Sequence, residues 1–356
     1  MKTAVVLFNL GGPDSLEAVK PFLYNLFKDK AIIGAPTPIR QLIARLISDR
    51  RAPIARDIYT QIGGKSPILD ETELQAKALS KKVNSLLPSE EFKLFISMRY
   101  WKPFIEDVIP KIEDYSPEQI ILLPLYPQYS TTTTGSSFNS WWKAIKGTTL
   151  DDTPSITVCS YPINKGLISA QVDLIKKTIE SVNVKSYRLI LSAHGLPKKV
   201  IKRGDPYQIQ VEKTAESIVK GLEIKNLDWC VSYQSRVGPL EWIGPSTDDE
   251  IKKAGREEKS LIIAPIAFVS EHSETLVELD IEYLQLAKKH GVPEYFRVPA
   301  VGTHESFISG LGNLVVETFT ALNNNDVKTK LGPRGVKIVC PPCNCISIAD
   351  GFKFNG

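Results

Sequence analysis

The segment EHSETLVELDIEY (271–283) carries four glutamates and a histidine within thirteen residues. Glu274, Glu278 and Glu282 are four residues apart, a spacing that stacks their carboxylates on one face of a helix. Like charges at that spacing destabilise a helix by roughly 0.2–0.5 kcal/mol per pair, and no lysine follows four residues later to offset the repulsion. The row is either a solvated face or a site, because an imidazole beside several carboxylates suits proton transfer or a divalent metal.

Two of the four histidines follow apolar runs of the strand type. His194 closes YRLILSAH, and His272 comes shortly after SLIIAPIAF. In open α/β sheets, ligands bind beyond the carboxyl ends of the strands, so we expect both imidazoles near the glutamate row. The other two histidines fit helix ends, since His290 in KKHGVP precedes a glycine and His304 begins a helical stretch.

Seven short apolar runs alternate with helical stretches along the chain. We predict strands over 3–9, 92–98, 119–125, 155–161, 187–194, 228–234 and 260–268. We predict helices near 15–28, 71–86, 103–114, 165–182, 207–222, 272–290 and 304–322. Continuous runs of Val, Ile and Leu between helices are typical of parallel sheets covered on both faces. The pattern predicts an α/β protein of two doubly wound, Rossmann-like lobes, 1–160 and 161–325, with a tail over 326–356.

Composition argues against several classes of function. The 356 residues carry a net charge of +4 with mixed signs, without the clustered basic stripe of a nucleic-acid binder. The sequence contains no run of about 18 apolar residues, the length needed to span a membrane. The opening MKTAVVLFNLGGPDS lacks the apolar core and cleavage site of a signal peptide, so we expect a cytoplasmic protein. NLGGP and IGGKSP lack the spacing of nucleotide-binding loops.

Seven segments, taken together, resemble the ferrochelatase family: NLGGP, GGKSPI, MRYWKP, PLYPQYSTTTTGSS, LILSAHGLP, YQSRVGPLEWIGPSTDDEI and FVSEHSETLVELDIEY. The joint occurrence of SAHGLP and EHSETLVELDIEY is highly specific. The resemblance implies the chelatase fold, with a porphyrin cleft between two lobes, and insertion of ferrous iron into protoporphyrin IX to form protoheme. The alternatives are a coproporphyrin III chelatase and a non-catalytic porphyrin- or metal-binding protein.

The resemblance also implies roles for the residues at the strand ends. His194, Glu274 and His272 are expected to be catalytic, and the first two to contact the Fe²⁺ substrate. Glu278 and Glu282 are expected to continue as a path for metal or protons. Metallation exchanges two pyrrole protons for one Fe²⁺, so the site must accept protons and release a dication from weakly held oxygen ligands. Which of His194 and Glu274 is the base stays open at this point.

The same resemblance implies porphyrin contacts from six residues, which are Arg51, Tyr59, Ser66, Arg99, Tyr100 and Trp242. A structural interpretation exists beside the functional one. Arg99 could form an ion pair within the fold, and Trp242 could anchor the core.

Residues 22–51 interleave apolar and basic side chains. Leu42, Ile43, Leu46 and Ile47 form one helical stripe, which is flanked by Arg40, Arg45, Arg50 and Arg51. One interpretation is an amphipathic helix facing the core. The other, which the resemblance favours, is a lip that rests on the cytoplasmic face of the inner membrane and admits an apolar porphyrin. The sequence does not decide between a monomer and a homodimer.

Three cysteines, Cys340, Cys343 and Cys345, crowd into VCPPCNC near the C-terminus. Ferrochelatases of the cluster-containing type hold a [2Fe–2S] centre with one mid-chain cysteine and three near the C-terminus, and Cys159 stands at the matching mid-chain position. Four thiolates are the required number. The CxxCxC spacing is tighter than the animal pattern. A Cys₄ zinc site and free thiols are therefore the competing interpretations.

Overall fold

The computed structural model of the chain describes residues 1–323, apart from 183, 185, 237 and 239, and the segments Lys330–Leu331 and Lys337–Val339. The chain divides into two compact units, Pro162–Gly310 and Met1–Tyr161 with the described residues from Leu311 on. The first boundary lies one residue from the predicted one. The second falls inside the last helix instead of after it.

The described strands and helices alternate through most of the chain. The strands are β1 (Lys2–Asn9), β2 (Glu91–Met98), β3 (Gln119–Pro124), β4 (Ser155–Val158), β5 (Tyr187–His194), β6 (Trp229–Gln234), β7 (Ser260–Pro265), β8 (Tyr295–Arg297), β9 (Lys330–Leu331) and β10 (Lys337–Val339). The helices are α1 (Val19–Phe27), α2 (Thr37–Thr60), α3 (Ile68–Leu86), α4 (Ile105–Tyr115), α5 (Thr134–Ala144), α6 (Lys165–Ser181), α7 (Lys198–Lys202), α8 (Tyr207–Leu222), α9 (Thr247–Arg256), α10 (Tyr283–Lys289) and α11 (Glu305–Asn323). A π-helix, Glu274–Glu282, immediately precedes α10.

The first unit is built on a sheet with the strand order β2-β1-β3-β4-β10-β9. Neighbouring strands are parallel except for the β10–β9 pair. Seven of the eight residues of β1 are buried, as expected for a parallel strand with both faces covered. On one face Phe8 packs edge-on against Phe138 and Trp141, with ring centroids 5.8 and 6.2 Å away.

The second unit is built on a parallel sheet with the order β6-β5-β7-β8. β5 lies inside this sheet and ends at His194, which pairs with Gln234 at the end of β6. The neighbouring β7 ends at Pro265, and the chain then leads into the π-helix. The carboxyl edge of this sheet therefore collects the predicted catalytic residues, and the predicted α/β class with parallel sheets is confirmed.

Several elements differ from the prediction. α5 begins at Thr134, inside the hydroxyl-rich segment TTTTGSS (131–137), which has poor helix propensity. Burial of Phe138 and Trp141 on this helix outweighs that propensity. α2 is a continuous helix of 24 residues where the pattern predicted only a short stripe. β8 has three residues, too few for an apolar run to reveal it.

The two leucines of the apolar stripe of α2 face outward, and Ile43 and Ile47 are partly buried. Leu42 and Leu46 are 60% and 61% exposed, whereas the buried positions of this part of the helix are Ala44, Ser48 and Ala52. The interpretation of the stripe as a core-facing surface is therefore wrong for these two leucines. Among the helices that the structure describes, none combines the length and apolarity needed to cross a membrane.

Candidate active site

His194 and Glu274 form a hydrogen-bonded pair at the end of β5. His194 Nδ1 lies 2.8 Å from Glu274 Oε2, and both side chains are partly exposed. Burial alone would disfavour the imidazolium, but the Glu274 carboxylate outweighs burial and raises the pKa of His194. Burial alone would also raise the pKa of the Glu274 carboxyl, yet the His194 contact holds it at about 2. Glu274 is therefore ionised at neutral pH, and His194 is a stronger base than an isolated imidazole.

Glu278 is the second carboxylate of the row, and its oxygens are well supplied with donors. Gln234 Nε2 donates at 2.9 Å, the Ser235 backbone N–H at 2.7 Å and the Tyr283 hydroxyl at 3.1 Å. Burial and the nearby Glu274 charge still raise the pKa of Glu278. The environments thus separate the pKa values of two neighbouring carboxyl groups, an arrangement that often assigns them different roles in proton transfer.

Ser235 joins the two carboxylates, and the sequence pattern did not predict it. Its hydroxyl donates to Glu278 Oε2 at 2.5 Å and lies 3.4 Å from Glu274 Oε2. Ser235 has a φ of +62°, a conformation in which non-glycine residues are uncommon. The sequence feature that could have identified Ser235 is its position directly after β6, because His194 was selected for the same reason, its place at the carboxyl end of a strand.

His272 is buried, with 7% of its surface exposed. Its ring packs edge-on against Phe268 at 4.5 Å, and its Nδ1 has no hydrogen-bond partner within the part of the chain that the structure describes. Burial lowers the pKa of His272, so this imidazole is neutral at neutral pH. It lies two residues before Glu274, at the approach to the π-helix.

The glutamate row lies on a π-helix and not on the α-helix that the spacing predicted. The Tyr283 N–H bonds the Glu278 carbonyl, five residues back. Segments with this i→i+5 pattern are rare in proteins, and those that do occur often lie at functional sites. The turn is wider than an α-helical turn, which changes where residues four apart point. Glu282, the last residue of the π-helix, is exposed.

Arg99 and Tyr100 converge on Asp29, another residue that the sequence pattern did not predict. Arg99 Nη2 lies 2.8 Å from Asp29 Oδ2, and the Tyr100 hydroxyl donates to the same oxygen at 2.9 Å. Arg99 Nε donates to Ser136 Oγ at 2.7 Å, and Ser136 in turn donates to Asp29. The predicted alternative of an ion pair for Arg99 is therefore realised, although its side chain stays 24% exposed and lines a cavity of about 350 Å³ in the first unit.

The remaining residues predicted to bind porphyrin differ in exposure. Tyr59, Ser66 and Tyr100 are buried, with 6%, 7% and 1% of their surfaces exposed. Arg51 is exposed, and its guanidinium lies 5.8 Å from the centre of the Phe27 ring.

Trp242 lies beside the end of β5. A Cβ at Gly195 would come within 3.3 Å of the Trp242 ring and 2.8 Å of the Gln234 carbonyl. Glycine is therefore needed directly after His194, because any side chain would displace these neighbours. The Trp242 indole nitrogen is buried without a hydrogen-bond partner among the described residues.

Of the predicted iron–sulfur ligands, the structure describes only Cys159. It is partly exposed and forms no disulfide. Cys340, Cys343 and Cys345 lie outside the described residues. Within the described ranges, no group of three or more His, Cys, Asp or Glu side chains is arranged to hold a metal ion.

Comparison with known proteins finds close relatives along almost the entire chain. The family model for Ferrochelatase matches residues 2–319. Ferrochelatase from Pelagibacter ubique (strain HTCC1062) is 50% identical over 351 residues, covering 98% of this chain and 99% of that protein. Ferrochelatase from Phenylobacterium zucineum (strain HLK1) is 53% identical over 312 residues, covering 87% of this chain and 90% of that protein.

A solved structure shares the fold at low sequence identity. SirB from Bacillus subtilis with Fe³⁺ superimposes with a TM-score of 0.52 and 13% identity, covering 91% of this chain and 98% of that chain. The superposition shows a common architecture of parallel sheets and helices, and at this identity it shows the fold alone.

Proposed function

The chain belongs to the ferrochelatase family, and from that membership we propose that it inserts ferrous iron into protoporphyrin IX to form protoheme. Iron insertion into a porphyrin to make heme is the activity of this metal chelatase, and the identity of the porphyrin is the proposed part. Membership of an enzyme family sets aside the non-catalytic binding protein. The two outward-facing leucines of α2 favour protoporphyrin IX over the more carboxylated coproporphyrin III.

The observation that carries the mechanism is the His194–Glu274 contact of 2.8 Å next to Glu278. In neutral His194, donation of the Nδ1 proton to Glu274 leaves the Nε2 lone pair free to accept a pyrrole proton. The resulting imidazolium is stabilised by the ionised Glu274, as the raised pKa of His194 indicates. We therefore assign His194 as the base. Glu274, with its pKa at about 2, is a poor final proton acceptor and is better suited to contact Fe²⁺.

Each metallation releases two pyrrole protons, so His194 must pass on the proton that it accepts before it can accept another. From Glu274 the hydrogen-bonded route continues through Ser235 Oγ, 3.4 Å away, to Glu278 at 2.5 Å. The raised pKa of Glu278 suits it to hold a proton in transit. Glu282 then continues the row toward solvent at the exposed end of the π-helix. His272 supplies a second, neutral imidazole two residues before Glu274, and its Nδ1 has no hydrogen-bond partner among the residues that the structure describes.

A role at the porphyrin site is proposed for each of the six residues of the sequence prediction, with different support for each. The partial exposure of Arg99 beside a cavity supports direct contact, and so do the exposure of Arg51 and the position of Trp242 beside Gly195. The buried hydroxyl of Tyr100 bonds Asp29 and supports a role in fixing Arg99. Burial of Tyr59 and Ser66 likewise supports a role in shaping the surrounding wall.

We propose two further properties on the same basis. Peripheral contact of a cytoplasmic enzyme with the inner membrane is supported by the exposed leucines of α2 beside the arginines of 40–51. A [2Fe–2S] centre held by Cys159, Cys340, Cys343 and Cys345 is supported by cysteine number and by the free state of Cys159, with zinc or free thiols as the alternatives.

The test of the proposed substrate compares the two porphyrins in separate reactions under anaerobic conditions. The purified protein is mixed with ferrous iron and either protoporphyrin IX or coproporphyrin III, and loss of porphyrin fluorescence is followed together with appearance of the heme spectrum. We expect a higher kcat/KM for protoporphyrin IX. A higher value for coproporphyrin III would overturn the proposed substrate without affecting the assignment of His194 as base.

A further inference from the structure

Two side chains of β8 brace the π-helix. Tyr295 and Arg297 are two residues apart in this strand and therefore share one of its faces. The Tyr295 hydroxyl donates to the Leu279 carbonyl at 2.5 Å. Arg297 donates from Nε and Nη2 to the two carboxylate oxygens of Asp280, at 2.5 and 2.8 Å. Both contacts thus fall on the two residues that follow Glu278.

Arg297 also ties the π-helix to the residue before His272. Its Nη1 donates to Glu271 Oε1 at 2.7 Å, and the same oxygen accepts the Ala300 N–H at 2.9 Å. The Arg297 side chain is only 14% exposed. A bidentate arginine–carboxylate contact such as that with Asp280 fixes orientation as well as distance. Because Arg297 also bonds Glu271, it holds both ends of the segment from Glu271 to Asp280.

The position of these contacts determines what they can control. Leu279 and Asp280 lie outside the glutamate row, so anchoring them fixes the rotation of the helix about its axis. That rotation sets where the carboxylates of Glu274 and Glu278 point. A π-helix of nine residues is an unusual conformation for a backbone to hold, which makes external anchoring more consequential than it would be for an ordinary α-helix.

We propose that Arg297, assisted by Tyr295, is a positioning residue for iron insertion, holding Glu274 and Glu278 in place against His194 and Ser235. The inference rests on the proton route proposed above. Contacts that orient metal-handling groups typically cost about 10–100-fold in metal affinity or activity when they are removed. A displacement of reacting groups by about 1 Å can cost on the order of 100-fold in rate.

The test compares Arg297→Lys and Tyr295→Phe with a matched arginine elsewhere in the same sheet. Arg188, at the start of β5, is 7% exposed and pairs with Asp228 and Glu257. It precedes His194 by six residues, roughly 20 Å along an extended strand. Arg188→Lys therefore disturbs a buried ion-pair cluster, and the ion-pair partners of Arg188 among the described residues, Asp228, Glu250 and Glu257, all lie outside the π-helix.

We expect Arg297→Lys to lower kcat by about 10–100-fold with the KM for porphyrin unchanged, and Tyr295→Phe to lower it less. Amide hydrogen exchange in 279–284 should quicken in Arg297→Lys. Arg188→Lys should lower the unfolding temperature and keep the kcat of the wild type. A wild-type kcat in Arg297→Lys, or an equal loss of kcat in Arg188→Lys, would overturn the positioning role. If the wild type made no heme, the proposed function would fail instead, and unchanged exchange in 279–284 would still refute the brace.

Discussion

Ser235 is the residue whose substitution interrupts the proposed proton route most selectively. Its hydroxyl donates to Glu278 at 2.5 Å and lies 3.4 Å from Glu274. In Ser235→Ala, Glu278 keeps its bonds from the backbone N–H of residue 235 and from Gln234. The carboxylates should therefore stay near their positions while the link between them is lost, and turnover should fall.

The size of this effect follows from the hydrogen bond that is removed. A hydrogen bond to a charged group contributes roughly 1.5–3 kcal/mol, and each 1.36 kcal/mol of barrier changes a rate about tenfold. If the Ser235–Glu278 bond acts fully in the proton-transfer step, kcat should fall by roughly 10–150-fold.

The pH profile should move as well. Burial and the Glu274 charge already raise the pKa of Glu278, and the Ser235 bond opposes that rise. Its loss raises the pKa of Glu278 further. Because Glu278 accepts a proton only when ionised, activity should disappear at a higher pH in Ser235→Ala than in the wild type as the pH is lowered.

Two further variants separate catalysis from stability. Ser235 has a φ of +62°, a left-handed conformation that costs a non-glycine residue roughly 1–2 kcal/mol. Ser235→Gly removes both the hydroxyl and this strain, so kcat should fall as in Ser235→Ala while less stability is lost than in Ser235→Ala. Ser232→Ala removes a buried hydroxyl that lies 2.8 Å from the Thr247 hydroxyl, and it should lower stability without changing kcat.

The assay is anaerobic metallation of protoporphyrin across a pH series, with thermal unfolding of each variant measured in parallel. Wild-type kcat and an unmoved acid limb in both Ser235 variants would refute the proposed route. A loss of kcat in Ser232→Ala equal to that in Ser235→Ala would show that the effect reflects general destabilisation.

Other predictions follow from the same contacts. Glu274→Gln removes the ionised partner of His194 and should reduce turnover far more than Glu282→Gln, which changes an exposed helix end; equal effects would reject a graded path. Substituting Leu42 and Leu46 by Ser should weaken sedimentation with anionic phospholipid vesicles and leave activity on detergent-dispersed porphyrin intact, whereas unchanged sedimentation would argue against the membrane lip. The wild-type protein, purified anaerobically, should be brown and hold two irons and two sulfides per chain, and Cys159→Ser should lose both the colour and the iron. One zinc per chain without colour would establish a zinc site instead.

The place of His194 near the glutamate row could be predicted from sequence because both lie at the ends of buried strands of one parallel sheet, and the resemblance to ferrochelatases implied its pairing with Glu274. The register then places His194 opposite Gln234 and brings β7 alongside β5. Residue types at strand ends are visible in a sequence, so this part of the site needed no three-dimensional information.

Other features depend on contacts that no local pattern records. Arg99 and Asp29 are 70 residues apart, and nothing near Asp29 marks it as a partner. Over nine residues a π-helix cannot be told from an α-helix by sequence, so the spacing of the glutamates predicted an α-helix where the structure has a π-helix. α5 forms in a segment of weak helix propensity because tertiary burial of Trp141 outweighs it.

The most direct test of the proposed chemistry is metallation by His194→Ala. Porphyrin binding, followed by quenching of porphyrin fluorescence, should be retained, because the substitution removes the base and leaves the remaining residues proposed to contact porphyrin in place. Anaerobic heme formation should fall by roughly 10²–10⁴-fold, the usual contribution of a positioned acid–base group. Heme formation near the wild-type rate, with binding retained, would contradict the assignment of His194 as the base that accepts the pyrrole protons.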